Sequence, residues 1–386
     1  MSAFIPQVID AVNRCYNRAI MLKVHYGCIS HYRKMLEINH IPNRPVTGEK
    51  EYVKKWRRLY PLVAVEDYRL FSRYIEVTPD LVPEAISHNI VEALLVPPEF
   101  RAYYSDKNMF DRIMPAGFLP KTILRRISGS FFSADYRLLD EADGLGLEQR
   151  LEAFDRIVVK PTVDSCSGQR VTLFARRDGT WFGLNGVWKD RELSLSRLKE
   201  FFGNDFIVQE CLKQSAFMSR LCPTSVNTIR LFVYRSVRSE EVVIPSVIMR
   251  LGHTGSFVDN SHAGGVSIGV LPGGRLNTYT TDQYGRKITE VNGIDFSREE
   301  LIIPHFNRVL EFAKTVGRHL IHCRMSNIDI MIDETGTPKL VEYNLSGMST
   351  WLYQFNSGLA YGAYCDEIID YCAKRLSEAG HVRIDY

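Results

Sequence analysis

Two carboxylates and one amide, Asp329, Glu342 and Asn344, have the types and spacing to do chemistry together. They lie in residues 326–347, which read S-N-I-D-I-M-I-D-E-T-G-T-P-K-L-V-E-Y-N-L-S-G. Apolar runs at 328–332 and 339–343 flank D-E-T-G-T-P. Asp, Gly and Pro each favour chain reversal, so the pattern predicts a β-hairpin. Side chains alternate along a strand, which puts Glu342 and Asn344 on one face; with suitable pairing Asp329 joins them. Isolated buried carboxylates are costly to desolvate, so the set needs a cation or hydrogen-bonding partners. Hard oxygen donors suit Mg2+, commonly held between one or two carboxylates and nucleotide phosphates. A surface hairpin with solvated acids would use the same residues, so the rest of the chain must decide.

Further candidates precede the hairpin. Residues 157–161, I-V-V-K-P, read as a buried strand ending in Lys160, followed by the loop T-V-D-S-C-S-G-Q-R with Ser165, Ser167 and Gly168. Such a loop can offer backbone N–H groups to phosphate oxygens, with Lys160 as a point charge beside them. It is not a Walker A loop, because G-x-x-x-x-G-K-[ST] is absent. Upstream, Ser105 is a candidate helix cap with Asp106 and Lys107 in the first turn, and a lysine there opposes the helix dipole unless an anion binds. Residues 206–212, F-I-V-Q-E-C-L, read as a strand whose end, Glu210 and Leu212, could present backbone groups to a purine. Arg230 and Arg250 interrupt apolar strands at 228–234 and 242–250, which requires an anion: a structural carboxylate or a bound ligand. The loop 258–266, V-D-N-S-H-A-G-G-V, combines Asn260 and His262 with Gly264-Gly265, where backbone can approach a ligand closely.

The elements that must hold these groups are unevenly legible. Residues 8–40 predict helix, read as a helical hairpin packing on the main body, and a break follows at I-P-N-R-P-V-T-G. Leu94-Leu95-Val96-Pro97 is a candidate short strand. Strands are expected at 171–174 and from Trp181, an amphipathic helix at 301–320 and a closing helix at 363–378. No G-x-G-x-x-G occurs in the first hundred or so positions, and no βαβ alternation is clear there.

Composition bounds the function. The 386 residues suffice for two or three domains. Lys plus Arg number 48 against 45 acids, a net charge of +3, which argues against a protein that coats nucleic acid. Eight cysteines, with no C-x-x-C pair, give no zinc pattern and read as reduced thiols of a cytoplasmic protein. No apolar run reaches the length of a membrane span.

The order of features resembles the ATP-grasp superfamily, most closely its sugar-transfer-associated group. The resemblance rests on V-V-K-P-T-V-D-S-C-S-G-Q at 158–169, V-Q-E-C-L at 208–212 and N-T-I-R at 227–230. The loop 258–266 and N-I-D-I-M-I-D…G-T-P-K-L-V-E-Y-N at 327–344 complete it, over roughly 105 to 375. It implies an α+β ATP-grasp fold, two α+β lobes gripping ATP, after a mainly helical N-terminal region. The expected division is 1–104, 105–212 and 213–386. It further implies ATP with Mg2+, or Mn2+ in its place. Lys107 and Lys160 would contact phosphates, Ser165, Ser167 and Gly168 would form the loop over them, and Glu210 and Leu212 the adenine hinge. Asp329, Glu342 and Asn344 would ligate the metal, Arg230 and Arg250 would face the transferred phosphoryl group, and Asn260 lies in the loop matching N-x-x-x-G-G. The implied activity is an ADP-forming ligase joining a small-molecule carboxylate to an amine through an acyl-phosphate. A kinase on the same fold and a non-catalytic nucleotide-binding scaffold are the alternatives. The sequence departs from many relatives in lacking a Rossmann-like pattern in residues 1–100 and in carrying Cys166 and Arg170 in the phosphate loop.

Overall fold

The computed structural model of the protein describes residues 4–141, 144–163, 170–255 and 264–379. Up to Ser105 the ordered elements are helical. Phe4–Ile38 is one helix of 35 residues, not the expected hairpin. Its proline falls in the first turn, and Gly27 costs only about 1 kcal/mol within a helix, too little to end one this long. Its second half is anchored by buried Tyr32, Met35 and Leu36. Helices Glu49–Trp56 and Glu66–Phe71 follow. Residues 84–95 then run as Glu84–Ile86, a π turn Ser87–Val91, and Glu92–Leu95. Leu94 and Leu95, expected in a strand, therefore end a helix; short apolar runs carry no period of their own. Pro98–Ser105 begins on a proline, whose missing N–H is no loss at that position.

The strands form antiparallel sheets. β1 (Thr122–Ile127), β2 (Ser130–Ser133), β3 (Arg156–Pro161), β4 (Thr172–Arg177), β5 (Thr180–Gly183) and β6 (Phe206–Glu210) make a six-stranded sheet in the order β2-β1-β6-β3-β4-β5. The second sheet uses β7 (Thr228–Arg235), β8 (Val242–Leu251), β9 (Val266–Val270), β10 (Leu276–Thr281) and β11 (Lys287–Ile288). After a small ladder of β12 (Glu290–Val291) and β13 (Ile294–Asp295), it is completed by β14 (Met325–Ile332) and β15 (Pro338–Asn344). Its order among the described residues is β11-β10-β9-β8-β7-β14-β15. With every strand-to-strand pairing among the described residues antiparallel, the architecture is α+β, as expected.

Alternation along β7 sorts the helices onto the two faces of the second sheet. Val233 lies against Gly317 of the helix Phe306–His319, whereas Phe232 packs edge-on against Tyr353 of the helix Thr350–Asn356. Arg230 is two residues from Phe232 and so shares its face. The end of Thr350–Asn356 sits directly on β9: a Cβ at Gly269 would run into the Asn356 carbonyl oxygen, so only glycine allows that approach. The six-stranded sheet has its own core, including Leu124, Ile157, Val159, Phe174 and Phe206. The N-terminal helices instead share one core with the second sheet. The cleft between the sheets thus lies between separately packed bodies.

Candidate active site

The predicted hairpin is present as β14 and β15, and its register brings Asp329 directly opposite Glu342 and Asn327 opposite Asn344. A register shift beyond that pair matches Ile330 with Leu340, leaving Val341 as an extra residue. The bulge reverses the alternation. Leu340 and Tyr343 point into the core, while Glu342 and Asn344 stay half-buried on the other face. Without it, Leu340 and Glu342 would share a face.

Asp329 is buried and held by arginine. Arg230 donates from Nε to Oδ1 and from Nη2 to Oδ2, each at 2.7 Å, a bidentate fork between register partners on β7 and β14. Arg250 Nη1 lies 3.6 Å from Oδ2. Asn344 Nδ2 donates to Oδ2 at 3.4 Å. Burial alone would raise the Asp329 pKa, but Arg230, with Arg250 and Asn344, outweighs it and holds the carboxyl below its usual range. Burial likewise opposes the charge on Arg230, and Asp329 more than compensates, raising its pKa. The anion required by an arginine in a core strand is thus, for Arg230, a carboxylate of the same chain.

The two lysines reach the same place by different routes. On β3, Ile157 and Val159 face the core, so Lys160 emerges on the opposite face. Lys107 opens the short 3-10 turn Lys107–Met109, capped by Asp106, whose carboxylate accepts from Asn108 N–H at 2.9 Å. Ser105, the expected cap, is instead the last residue of the preceding helix. The turn is tied to the end of β3. Lys107 N–H donates to the Thr162 carbonyl at 3.1 Å, and Asn108 Nδ2 to Thr162 Oγ1 at 3.2 Å. Lys107 Nζ then stands 3.8 Å from Glu342 Oε2, an ion pair across the cleft. Lys160 is half-buried as a residue, but desolvation of its ammonium and the charge of Lys107 push its pKa down to about 8, against the opposing pull of Glu342.

Sequence reasoning missed the support beneath Lys107. Arg125 on β1 is fully buried and donates to the Asn108 carbonyl and to Asp111, and its guanidinium lies 4.2 Å from the Tyr136 ring centroid. The available signal was an arginine pair inside an apolar stretch, T-I-L-R-R-I at 122–127.

At the hinge, Glu210 N–H donates to the Lys121 carbonyl at 2.9 Å and Glu210 Oε1 accepts from Lys121 N–H at 2.7 Å. The chain then crosses to the second sheet: Ser215 N–H donates to the Ile332 carbonyl, and Glu334 N–H to the Lys213 carbonyl, both at 2.9 Å. A cavity of about 1000 Å3 opens here, lined by Glu210, Leu212, Phe154, Leu173, Val226 and Asp333 among others. Ser165, Ser167, Gly168 and Asn260 lie outside the described residues.

Among the described residues no three His, Cys, Asp or Glu side chains form a metal cluster. A cation beside the hairpin would have two carboxylates, one amide oxygen and the oxygens of its own ligands. That donor set fits Mg2+, which keeps waters and phosphates in its shell: Asp329 Oδ2 already accepts from Arg230 and Asn344, but Oδ1, engaged by Arg230 Nε, keeps a second lone pair.

A model of the family described as sugar-transfer associated ATP-grasp matches residues 106–362. No curated protein matches the sequence. Among solved structures, the chain is similar to D-cycloserine synthetase, at 13% identity, with 72% of this chain and 73% of that one covered and a TM-score of 0.39. It is similar to D-alanine–D-alanine ligase from Bacillus anthracis at 15% identity, covering 76% and 72%, TM-score 0.39. A third is the ATP-grasp ligase PsnB with minimal precursor, Mg and ADP, at 14% identity, covering 73% and 62%, TM-score 0.36.

Proposed function

The chain belongs to the sugar-transfer associated ATP-grasp family, and from that premise we propose that it is an ADP-forming carboxylate–amine ligase. The observation that carries this reading is the meeting of Lys107, Lys160 and Glu342 beside Asp329. Two ammonium groups facing a carboxylate edge are suited to a polyphosphate and its counter-ion. The cavity at Glu210 and Leu212 is large enough for a nucleoside, and the hinge is the natural place for its base.

In the proposed reaction a substrate carboxylate oxygen bonds to the γ-phosphorus of ATP as the bond to the β–γ bridging oxygen breaks. An amine then attacks the acyl carbon, loses a proton, and phosphate leaves with its bonding electrons. Lys107 and Lys160 would hold phosphate oxygens in place, and positioning supplies most of the rate. Arg250, and the Nη1 edge of Arg230 that is not used on Asp329, would offset charge on the transferring group. Glu342, Asn344 and the remaining lone pair of Asp329 Oδ1 would hold Mg2+, which supplies charge neutralisation at the phosphates when bound.

The test is product identity with ATP, Mg2+ and pooled carboxylates and amines. Equal amounts of ADP, phosphate and a new amide are expected. ADP with a phosphoester and no free phosphate would make the protein a kinase. Nucleotide binding with no turnover across the panel would contradict both.

The pKa of Lys160 gives a pH dependence. Its folded value, about 8, is depressed, so the nucleotide-free site loses this positive charge as pH climbs through 8. Bound phosphates favour the charged form, so ADP binding should take up a proton above that pH and weaken by up to about tenfold per pH unit. Lys160→Arg, which stays charged, should flatten the profile. Calorimetry without divalent cations, in buffers of differing ionisation enthalpy, measures both effects. Wild-type affinity that stays level up to roughly pH 9.5 would show that Lys160 does not meet the phosphates.

A further inference from the structure

The N-terminal helices, which the proposed reaction does not use, send two acids to the loop leaving the hairpin. Glu92 is fully buried. Its Oε2 accepts from Gly347 N–H at 2.7 Å and its Oε1 from Met348 N–H at 3.0 Å. Gly347 has φ of 62°, a conformation that helps successive N–H groups converge on one anion. His88 Nδ1 lies 3.2 Å from Glu92 Oε2. Glu84, beyond the intervening π turn, accepts from the Thr350 hydroxyl. The wider π turn allows both acids to reach the same loop. The loop in turn contacts the catalytic strand. The Met348 carbonyl accepts from Asn327 Nδ2 at 2.6 Å, and Asn327 Oδ1 accepts from Tyr353 Oη at 2.8 Å. Asn327 is two residues from Asp329 and is the register partner of Asn344.

We infer that Glu92 is a positioning residue: its carboxylate fills the two-amide nest at Gly347 and Met348, fixing the loop that joins Asn344 to the helix Thr350–Asn356 and, through Met348 and Asn327, the strand that carries Asp329. The kinetic consequence rests on the ligase reading; the effect on the loop does not. The helical region 84–95 is thereby part of the catalytic framework, although none of its side chains touches the reacting atoms.

Two variants and two readouts test this on the full-length protein. In Glu92→Ala, amide hydrogen exchange at Gly347 and Met348 should rise by about tenfold or more, with the hinge at 206–215 unchanged. Turnover kcat should fall by about a hundredfold, while the KM for ATP, set at the hinge and lysines, stays within about threefold. Glu92→Gln keeps one acceptor and the side-chain volume, and should lie between Glu92→Ala and wild type in both readouts. Formate, a free carboxylate small enough for the space left by alanine, should restore part of the kcat. Unchanged exchange at Gly347 and Met348 would overturn the inference. So would a kcat loss that tracks a loss of folded protein and does not respond to formate. If wild-type protein turns over no substrate, the ligase reading fails, and exchange alone still decides whether Glu92 holds the loop.

Discussion

Replacing Glu342 with glutamine is expected to lower Mg·ATP turnover by roughly a hundredfold or more while leaving the fold intact. The substitution keeps volume and hydrogen-bonding capacity and removes only the charge. That charge faces Lys107 at 3.8 Å and offsets the depression of the Lys160 pKa. Without it the two ammonium groups repel each other with less compensation, and the cation loses its more accessible carboxylate. Glu342 is half-buried at the cleft, so no core contact is lost and the melting temperature should barely move. Asn344→Ala should act in the same direction, because it removes both a donor to Asp329 and an amide oxygen. Steady-state ADP release, with thermal melts as the fold control, measures both. Wild-type turnover in both variants would remove the metal assignment.

The largest effect on stability is expected at the Arg230–Asp329 fork. Removing one partner of a buried ion pair typically costs about 3–5 kcal/mol, because the other charge stays behind without compensation. Asp329→Ala is the more severe case, since it strands Arg230 and leaves Arg250 without the carboxylate 3.6 Å away. Urea denaturation should therefore show a loss in that range for Asp329→Ala. The double variant Arg230→Met/Asp329→Asn should lose less than the sum of its single variants, since the charges depart together. Additive losses would mean that the two side chains are not coupled. The pH dependence has a definite sign. Asp329's folded pKa is depressed, so its contribution is present above the unfolded carboxyl range near 4 and is lost as pH falls through the lower folded value.

How much of this could be read beforehand varied with the range of the interaction. The hairpin was legible because turn residues and two-residue alternation are local signals, and both appear between 326 and 347. The bulge at Val341 was not, since Leu340 and Glu342 alternate in sequence as though they shared a face. That Arg230 needs an anion follows from its place in an apolar strand. That the anion is Asp329 depends on pairing between strands 99 positions apart. The cap before Lys107 lies one residue later than the sequence suggests, because Ser105 and Asp106 are both good caps and only the turn's tie to Thr162 selects between them. Local signals predict that residues 8–40 fold back and that residues 94–97 extend. In both, weak local preferences yielded to the core that the N-terminal helices share with the second sheet. Glu92 carried no signal, since its role requires two amides 255 and 256 positions away.

On the proposed function, Glu342 and Asn344 hold a divalent ion against a nucleotide whose phosphates are gripped by Lys107 and Lys160. A crystal structure with Mg2+ and a non-hydrolysable ATP analogue tests it most directly. Oxygens of Glu342 and Asn344 should lie about 2.0–2.2 Å from the cation, with both ammonium groups on phosphate oxygens and the base at Glu210 and Leu212. A nucleotide bound elsewhere, or in the cleft with its cation away from Glu342, would contradict the account.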